Sequence, residues 1–443
     1  MFYSNNSRLK RSVLLILLVL AWPLTAGASG FGVFTQGASG LGQANAVVAH
    51  PTGPSSLYFN PALLNDVPGR GIEVGSTGIF SDRSVALDSG GTEDSDGGWN
   101  FPSTFYYTHQ VNDRLTAGFG VFFPFGLSNT WDDDYEGRYL GTSGEVLTMN
   151  INPAVSWRVT DRLSLAAGFS MLYMEATLES KINQTAAYTI LQNQGAPLPN
   201  LTAPLADVDQ EFAGDGWGAG YNLGLLYKFT DRISFGATYR SHIDVAINSA
   251  DVDFDNVHPF LGTAFPETAA STDIRLPAQA TAGVAFRITE PLVIEVGVRW
   301  EDWESTEELK IEFDAPVLGQ ATNVTPRDWD ATWTYNIGGQ YRVNETWAIN
   351  AGYLYGKNAV PDNTFEPIIP DTDAHLFTLG AEAGFGPWTI AGAFGYEHHE
   401  ARTKDNRLGD PLGSILAGQP ISTANGEYES DIYLVGLSVG YRF

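Results

Sequence analysis

The sequence predicts an all-β fold, a transmembrane antiparallel β-barrel of about fourteen strands, and three observations lead to it. From about Gly71 onward, segments of about ten residues alternate apolar with small or polar side chains. Short polar turns and long loops connect these segments in alternation. After Leu20 the chain has no run of about 18 apolar residues, so a closed barrel is the membrane-spanning structure that remains.

The last segment of the chain shows the alternation most clearly. Its apolar residues fall on one face of a strand, and glycine, serine and arginine fall on the other. The apolar residues are Tyr433, Val435, Leu437, Val439, Tyr441 and Phe443. A strand that ends on an aromatic residue is typical of the closing strand of a bacterial outer-membrane barrel. We therefore expect the outer membrane as location and recognition of Phe443 by the barrel assembly machinery.

The lengths of the connections predict the orientation of the barrel. Short turns are expected at Asn112-Asp113, Thr160-Asp161, Thr230-Asp231, Thr289-Glu290, Asn344-Glu345 and Gly386-Pro387. Long loops are expected at 179–216, 248–271, 314–327, 357–372 and 404–427. Because short turns belong to the periplasmic side of such barrels, both chain ends are expected there and the long loops outside.

Two segments precede the predicted barrel at 71–443. Residues 1–28 are interpreted as a signal peptide, because basic residues precede an apolar run at 13–20 and Ala26, Gly27 and Ala28 form a cleavage site. Residues 29–70 are rich in small and polar residues and are interpreted as a plug inside the lumen. A disordered periplasmic tail would have the same composition.

The amino-acid composition limits the classes of molecule that the chain is expected to bind. The chain has a formal net charge of -27, which argues against nucleic acid. Acidic loops suit a lipopolysaccharide surface bridged by divalent cations, although a solvated acidic surface would look the same. The chain has no cysteine, which suits an oxidising compartment but is a weak signal.

Enzymatic and metal sites are not predicted. The glycine-rich stretch 37–42 lacks the lysine of a phosphate loop, and His375, His398 and His399 lack metal-ligand spacing. No motif nominates a serine and histidine pair for lipid hydrolysis. We therefore expect no catalytic residue, metal or cofactor.

Several motifs together resemble those of one transporter family. Gly30-Phe31-Gly32, Ser39-Gly40-Leu41-Gly42, Asn60-Pro61-Ala62 and the final Tyr441-Arg442-Phe443 look like the FadL/TodX outer-membrane transporters of hydrophobic compounds. The resemblance implies a fourteen-stranded barrel, an amino-terminal hatch containing the Asn60-Pro61-Ala62 motif, and passive uptake of hydrophobic substrates. It also implies capture at outer loops, a lumen pocket and sideways exit at an inward kink of the third strand.

The matching lateral gate in this chain is Phe123, Pro124, Phe125 and Gly126. Pro124 lacks the N–H that a strand ladder needs, and glycine tolerates unusual backbone conformations. The alternative is that these residues simply end the strand near its loop. We expect a bend between Phe122 and Leu127, with Asn60 nearby to satisfy the backbone groups that the bend frees.

A capture loop is predicted from apolar residues in a surface loop, Ile190, Leu191, Leu198 and Leu201. The substrate is expected to be a long-chain fatty acid, or alternatively a neutral aromatic or aliphatic hydrocarbon. Fatty-acid members of the family carry basic residues in the lumen pocket, whereas a loose alignment places Ser180 and Asp330 there. Candidate carboxylate partners elsewhere are Lys181, Arg240, Arg275 and Arg299, each of which could equally balance an acid such as Glu295. A general diffusion porin and an outer-membrane lipid enzyme are less favoured alternatives.

Overall fold

The computed structural model describes residues 30–33 and 35–443, and most of them form a closed barrel of fourteen antiparallel strands. The predicted signal peptide at 1–28 lies outside the described residues. The strands are β1 (Arg70–Leu87), β2 (Ser103–Asn112), β3 (Leu115–Phe122 and Gly126–Thr130), β4 (Ser143–Arg158), β5 (Leu163–Ile182), β6 (Val208–Lys228), β7 (Ile233–Arg240 and Ile243–Asp255), β8 (Thr268–Leu276 and Gln279–Thr289), β9 (Leu292–Glu301 and Glu308–Val317), β10 (Gln320–Pro326 and Thr332–Arg342), β11 (Trp347–Gly356), β12 (Ala374–Phe385), β13 (Trp388–Lys404) and β14 (Gly426–Arg442).

Each strand pairs with its neighbours in the chain, and the first pairs with the last. The β1–β14 register runs from Gly71 opposite Arg442 to Leu87 opposite Gly426. The predicted fourteen-stranded barrel is therefore confirmed.

The side chains of the barrel are distributed inversely to those of a water-soluble protein. Ile349 and Leu379 are 52% and 65% exposed on the outer surface, whereas Glu295 and Asn222 are fully buried inside. Lipid covers the outer face of such a wall, so apolar residues belong there, and polar residues can pair within the lumen.

Short turns and long loops alternate as predicted, but the limits of the long loops differ from those predicted. All six short turns are confirmed, since each predicted pair lies where two paired strands meet, although Asn112 and Thr289 are still the last residues of β2 and β8. The loops predicted at 179–216, 248–271 and 404–427 are shorter than predicted because their flanking strands continue, and they span 183–207, 256–267 and 405–425. The loop predicted at 314–327 is wrong, because residues 308–326 form a hairpin with a two-residue turn after Val317.

Short helices lie in the loops and before the barrel. They are α1 (Ala38–Leu41), α2 (Ser56–Phe59), α3 (Gln184–Asn193), α4 (Pro411–Ala417) and three 3-10 turns at Pro61–Asp66, Trp303–Ser305 and Asp362–Thr364. The side chain of Asn183 accepts a hydrogen bond from Ala186 N–H at 2.9 Å and so caps α3. In the described part of the chain, no helix is both long and apolar enough to cross a membrane.

Residues 30–33 and 35–69, here called the amino-terminal segment, pack against the inner faces of strands all round the barrel. Its polar groups bond to Tyr106 on β2, Ser156 on β4, Leu225 on β6, Glu295 on β9, Asn336 on β10, Glu382 on β12 and Ser438 on β14. Contacts with strands on opposite sides require the segment to lie across the interior.

Glu295 forms the densest of these contacts. Its carboxylate accepts hydrogen bonds from Val48 N–H at 2.6 Å and Ala49 N–H at 3.0 Å, and lies 2.8 Å from His50 Nδ1. Because the carboxylate is fully buried, these partners satisfy a charge that would otherwise be costly. Glu295 thus fixes the middle of the amino-terminal segment to β9.

Three inner-wall glycines make room for the backbone of the amino-terminal segment. A Cβ atom at Gly236 would lie 1.9 Å from Val48 O, and one at Gly338 would lie 2.0 Å from Gln43 O. At Gly352 the nearest atom would be Gln43 C, at 2.4 Å. The close approach therefore requires glycine at these three positions.

Candidate functional site

β3 is interrupted at Phe123, Pro124 and Phe125, and the chain there turns into the lumen. The ring of Phe125 lies 6.2 Å from that of Phe31 and 6.1 Å from that of Trp303, measured between centroids. Trp303 follows the first part of β9, well away from β3 around the wall. The interruption is thus an inward bend, and the alternative that these residues end the strand near its loop is wrong, since β3 resumes at Gly126.

The amino-terminal segment satisfies the backbone groups of this bend. The Gln36 side-chain amide donates to Phe123 O at 2.6 Å and accepts from Phe123 N–H at 3.2 Å. Val33 N–H donates to Pro124 O, and Gly126 N–H donates to Phe31 O, both at 2.8 Å. The bend therefore leaves these groups paired, as a site in the membrane requires.

The prediction that Asn60 serves the bend is wrong. Its side-chain N–H groups donate to Val48 O at 2.8 Å and to Leu225 O at 3.0 Å, and its Oδ1 accepts from Ala62 N–H. Asn60 instead caps the 3-10 turn at Pro61–Asp66 and ties it to β6. Gln36 was missed, because a single glutamine in a polar segment carries no local signal of its partner.

The wall loses its hydrogen-bond ladder on one side of the bend. β2 and β3 pair from Asn112 opposite Leu115 to Phe105 opposite Val121. Beyond the bend, the second part of β3 pairs with β4 alone among the strands. β7, β8, β9 and β10 are also interrupted, but among the described residues the amino-terminal segment forms a β-bridge only at β3, between Gly32 and Phe125.

A cavity of about 400 Å³ lies at the long-loop side of the bend. Its apolar walls include Phe31, Leu127, Val146, Met174, Ala176 and Ile369. Its polar rim includes Asp244, Asp273, Arg275, Glu307 and Glu308, all of them exposed. The cavity thus combines apolar walls with a polar rim, and apolar walls with placed polar groups are typical of a small-molecule site.

Arg327 contributes a buried cation to this cavity. Its Nη2 lies 3.7 Å from Glu366 Oε2, and its guanidinium carbon lies 5.1 Å from the centroid of the Trp329 ring. No acceptor among the described residues is within hydrogen-bonding distance of Arg327 Nε. The guanidinium is therefore incompletely paired, since such pairs normally have N–O distances of about 2.7–2.9 Å.

The loop at 357–373, here called the inward loop, brings Glu366 to Arg327. Sequence reasoning placed this loop outside the barrel, but Phe365, Ile368 and Ile369 are buried in the lumen core with Phe31. Asn129 on β3 donates to the carbonyls of Pro367 and Ile368 at 3.0 and 3.3 Å. The apolar Phe365-Glu366-Pro367-Ile368-Ile369 stretch was an available signal, since a solvated loop has no need of it.

Two further contacts hold the inward loop. Arg402 on β13 donates to Asp371 O and Val360 O, each at 2.6 Å, and pairs with Asp362 at 2.8 Å. The Asp371 carboxylate accepts from Gly30 N–H at 3.0 Å. The inward loop is therefore bonded to the wall and to the amino-terminal segment at once.

Three of the four basic residues considered from sequence pair with protein carboxylates. Lys181 contacts Asp133 and Asp209 at 2.8 and 2.6 Å, Arg275 contacts Asp244 at 2.6 Å, and Arg299 contacts Glu301 at 2.8 Å.

Arg240 differs, because among the described residues no carboxylate lies within ion-pair distance of it. It donates to Tyr58 O at 2.6 Å and lies over the rings of Tyr58 and Phe122, at 4.7 and 5.2 Å. Phe122 is the last residue before the bend, so Arg240 places a cation beside it.

The predicted capture residues lie at the long-loop end. Ile190 and Leu191 are half-buried at the end of α3, and Leu198 and Leu201 follow it. Leu191, Leu198 and Leu201 pack against a buried loop cluster that includes Tyr188 and Phe265, whereas Ile190 is not part of it. The exposed side chains of Phe260 and Ile415, in neighbouring loops, extend the apolar surface at this end of the barrel.

These features define a class of protein, a membrane β-barrel channel whose lumen holds an internal segment and an apolar cavity beside an interrupted wall. The chain belongs to the family of outer membrane transport proteins described as OMPP1/FadL/TodX, whose model matches residues 18–443. It is accordingly an outer-membrane protein of a family that transports hydrophobic compounds.

Individual relatives are similar to this chain over nearly its whole length. Outer membrane protein P1 of Haemophilus influenzae is 24% identical over 96% of this chain and 98% of its own. The long-chain fatty acid transport protein of Escherichia coli O6:H1 strain CFT073 is 23% identical over 99% and 100%. The crystal structure of a Pseudomonas aeruginosa FadL homologue is similar with a TM-score of 0.83, at 21% identity, over 94% of this chain and 100% of that one.

Proposed function

We propose that the chain mediates passive uptake of long-chain fatty acids across the outer membrane. In this proposal the ligand is captured at the long loops, enters the 400 Å³ cavity and leaves sideways at the bend in β3. The observation that carries the choice of a fatty acid is the buried, incompletely paired guanidinium of Arg327 in an apolar cavity.

The two parts of a fatty acid match the two parts of this cavity. Apolar walls favour an acyl chain by about 25 cal/mol for each Å² removed from water. A ligand carboxylate can bind a guanidinium with two short hydrogen bonds, whereas Glu366 lies 3.7 Å away. The acidic residues of the rim are exposed to solvent. At physiological salt their repulsion of an anion is largely screened beyond about 8–10 Å.

The interrupted ladder at the bend supports exit through the wall. A hydrophobic ligand gains little by release into water, whereas the membrane interior accepts it favourably. The second part of β3 is unpaired toward β2, and Gln36 satisfies the backbone of Phe123. Arg240, beside Phe122, offers a cation near this exit without an acidic partner among the described residues.

We also propose that the amino-terminal segment acts as a plug, that is, as a barrier to polar solutes. Support comes from its contacts with strands on opposite sides of the lumen and from its burial. A general diffusion porin needs an open polar lumen instead.

Replacing Arg327 with methionine tests the substrate class. Loss of a charged hydrogen-bonding partner costs about 1.5–3 kcal/mol. We therefore expect myristate to bind R327M about 10 to 150 times more weakly, while myristyl alcohol, with the same chain and no charge, is almost unaffected. Binding is measured by calorimetry on protein in lipid nanodiscs.

Arg275→Met is the matched control for this test, since Arg275 is an exposed rim arginine paired with Asp244. Exposed pairs contribute about 0–1 kcal/mol, so little change is expected. Equal weakening of both ligands in R327M would make Arg327 a structural residue. If R327M binds each of the two ligands as tightly as the unmodified protein does, a neutral hydrocarbon is favoured as substrate.

Ile190→Ser tests the proposed capture surface. Since Ile190 lies outside the packed loop cluster, the change removes an apolar contact without opening that cluster. A partly buried side chain contributes about 1 kcal/mol, so uptake at low ligand concentration should fall about fivefold and uptake at saturation should not. Val343→Ser, an exposed apolar position at the short-turn end, is the control. Wild-type uptake by the Ile190 variant would exclude it from capture.

A further inference from the structure

We propose that Glu366 is an internal competitor of the substrate carboxylate, which pairs with Arg327 in the empty protein and is displaced from it by the incoming ligand. The inference rests on the proposed function, because it requires an anionic ligand at Arg327. It assigns a specificity role to a loop residue that sequence reasoning had placed outside the barrel.

The geometry places one carboxylate where another would bind. Glu366 and Arg327 are both buried, and their nearest charged atoms are 3.7 Å apart. The described residues give Arg327 no closer acid, and its Nε has no acceptor. The pair is thus close enough for attraction but lacks the short hydrogen bonds of an optimal ion pair, so a mobile carboxylate can replace it.

The attachments of the inward loop allow the side chain to leave while the backbone stays. Thr364 Oγ1 donates to Arg327 O, and Asn406 Nδ2 donates to Phe365 O at 3.1 Å. On the other side, Asn129 holds the carbonyls of Pro367 and Ile368. Residues on both sides of Glu366 are therefore fixed, and displacement requires only a change of its rotamer.

Displacement has a consequence for protons. Burial raises the pKa of the Glu366 carboxyl, and Arg327 opposes this rise. When a ligand carboxylate takes Arg327, that opposition is lost and a second anion lies nearby, so Glu366 takes up a proton from solvent. Binding is then accompanied by proton uptake, and affinity must rise as pH falls.

The other charged groups at the inward loop have their own partners. Arg402 binds Asp362 and two backbone carbonyls, and Asp371 accepts from Gly30 and Ala359. Asp373 accepts from Tyr355 and Asn358. Arg327 is the charged group that acts on Glu366, so the pair can be tested by itself.

The test compares Glu366→Gln with the unmodified protein, in nanodiscs, with myristate and myristyl alcohol between about pH 6 and pH 8. Removing the competitor should strengthen myristate binding about tenfold at pH 8, within the usual range of coupling between sites. The unmodified protein should bind myristate more tightly at lower pH, by at most about tenfold per pH unit for one proton, and E366Q should lose this dependence. Myristyl alcohol should bind both proteins alike at every pH.

Other outcomes separate the two proposals. If E366Q binds myristate no more tightly and keeps the pH dependence, while R327M still loses myristate selectively, Glu366 merely orients Arg327 and the inference is overturned. If R327M binds each ligand as tightly as the unmodified protein does, the proposed substrate class fails first. Glutamine is nearly isosteric with glutamate, and retention of the heat-modifiable barrel band shows that the variant is folded.

Discussion

Uptake of fatty acid is expected to fall to background when Pro124 and Gly126 are both replaced by valine. Valine at 124 restores a backbone donor and favours an extended strand. The β2–β3 ladder, which now ends at Phe105 opposite Val121, could then continue and close the wall. Fatty-acid uptake by cells that carry the variant measures the effect, with the heat-modifiable band as the check on folding.

Pro153→Val provides the matched control for the gate. Pro153 lies within β4 and opposes Phe119 on the β3 side, while the pairing with β5 skips residues 152 and 153 and resumes at Ala154. It therefore tests proline removal from the barrel wall without affecting the bend, and uptake should stay normal. Normal uptake by the Pro124 and Gly126 double variant, with amide exchange showing a closed ladder beyond Val121, would rule out lateral exit.

Removal of residues 30–69 is expected to make the outer membrane permeable to small polar antibiotics. Without this segment, polar groups such as Asn222 and Glu295 would line a water-filled lumen, as in barrels of about 16 strands that conduct solutes. Antibiotic sensitivity of cells and conductance in planar bilayers measure the change. Unchanged permeability with a folded barrel would show that the segment is not the barrier.

A point variant tests the same barrier without a deletion that could prevent folding. Gly236→Val places side-chain atoms where Val48 O lies 1.9 Å from the position of a Cβ atom, so the amino-terminal segment must move. Gly392→Val is the control, because a Cβ there would meet only Gly436 O, at 4.0 Å. Permeability should rise in the first variant and not in the second.

The barrel could be predicted from the sequence because its signals are local. Alternation along a strand such as 163–173 reports which face meets lipid, and a turn such as Asn112-Asp113 reports where the strand reverses. Strand ends were less certain, since β5 and β6 have 20 and 21 residues, whereas about 9–11 residues suffice to cross the hydrocarbon core and only there must the alternation separate lipid from lumen. The hairpin at 308–326 was missed for the same reason.

The candidate site could be predicted only in part. Pro124 marks the bend by its own chemistry, whereas Gln36 and Arg327 acquire their roles from partners 87 and 39 positions away. Asn60 was assigned to the bend because its motif resembles part of the family's hatch, but a motif does not state which strand it faces. The pairing of Arg327 with Glu366 depends on a loop that turns inward, which the loop length alone does not reveal.

The contacts of the amino-terminal segment constrain the order of folding. Ala38 N–H donates to Ser438 Oγ at 3.0 Å, across 400 positions of the chain, and Ser438 lies on the strand that closes the barrel. At the other end of the lumen, Gly30 is bonded to Asp371 of the inward loop. We expect a segment enclosed in this way to dock while the seam between the first and last strands is still open. Such distant contacts make assembly slow, and the final strand closes around an interior that is already filled.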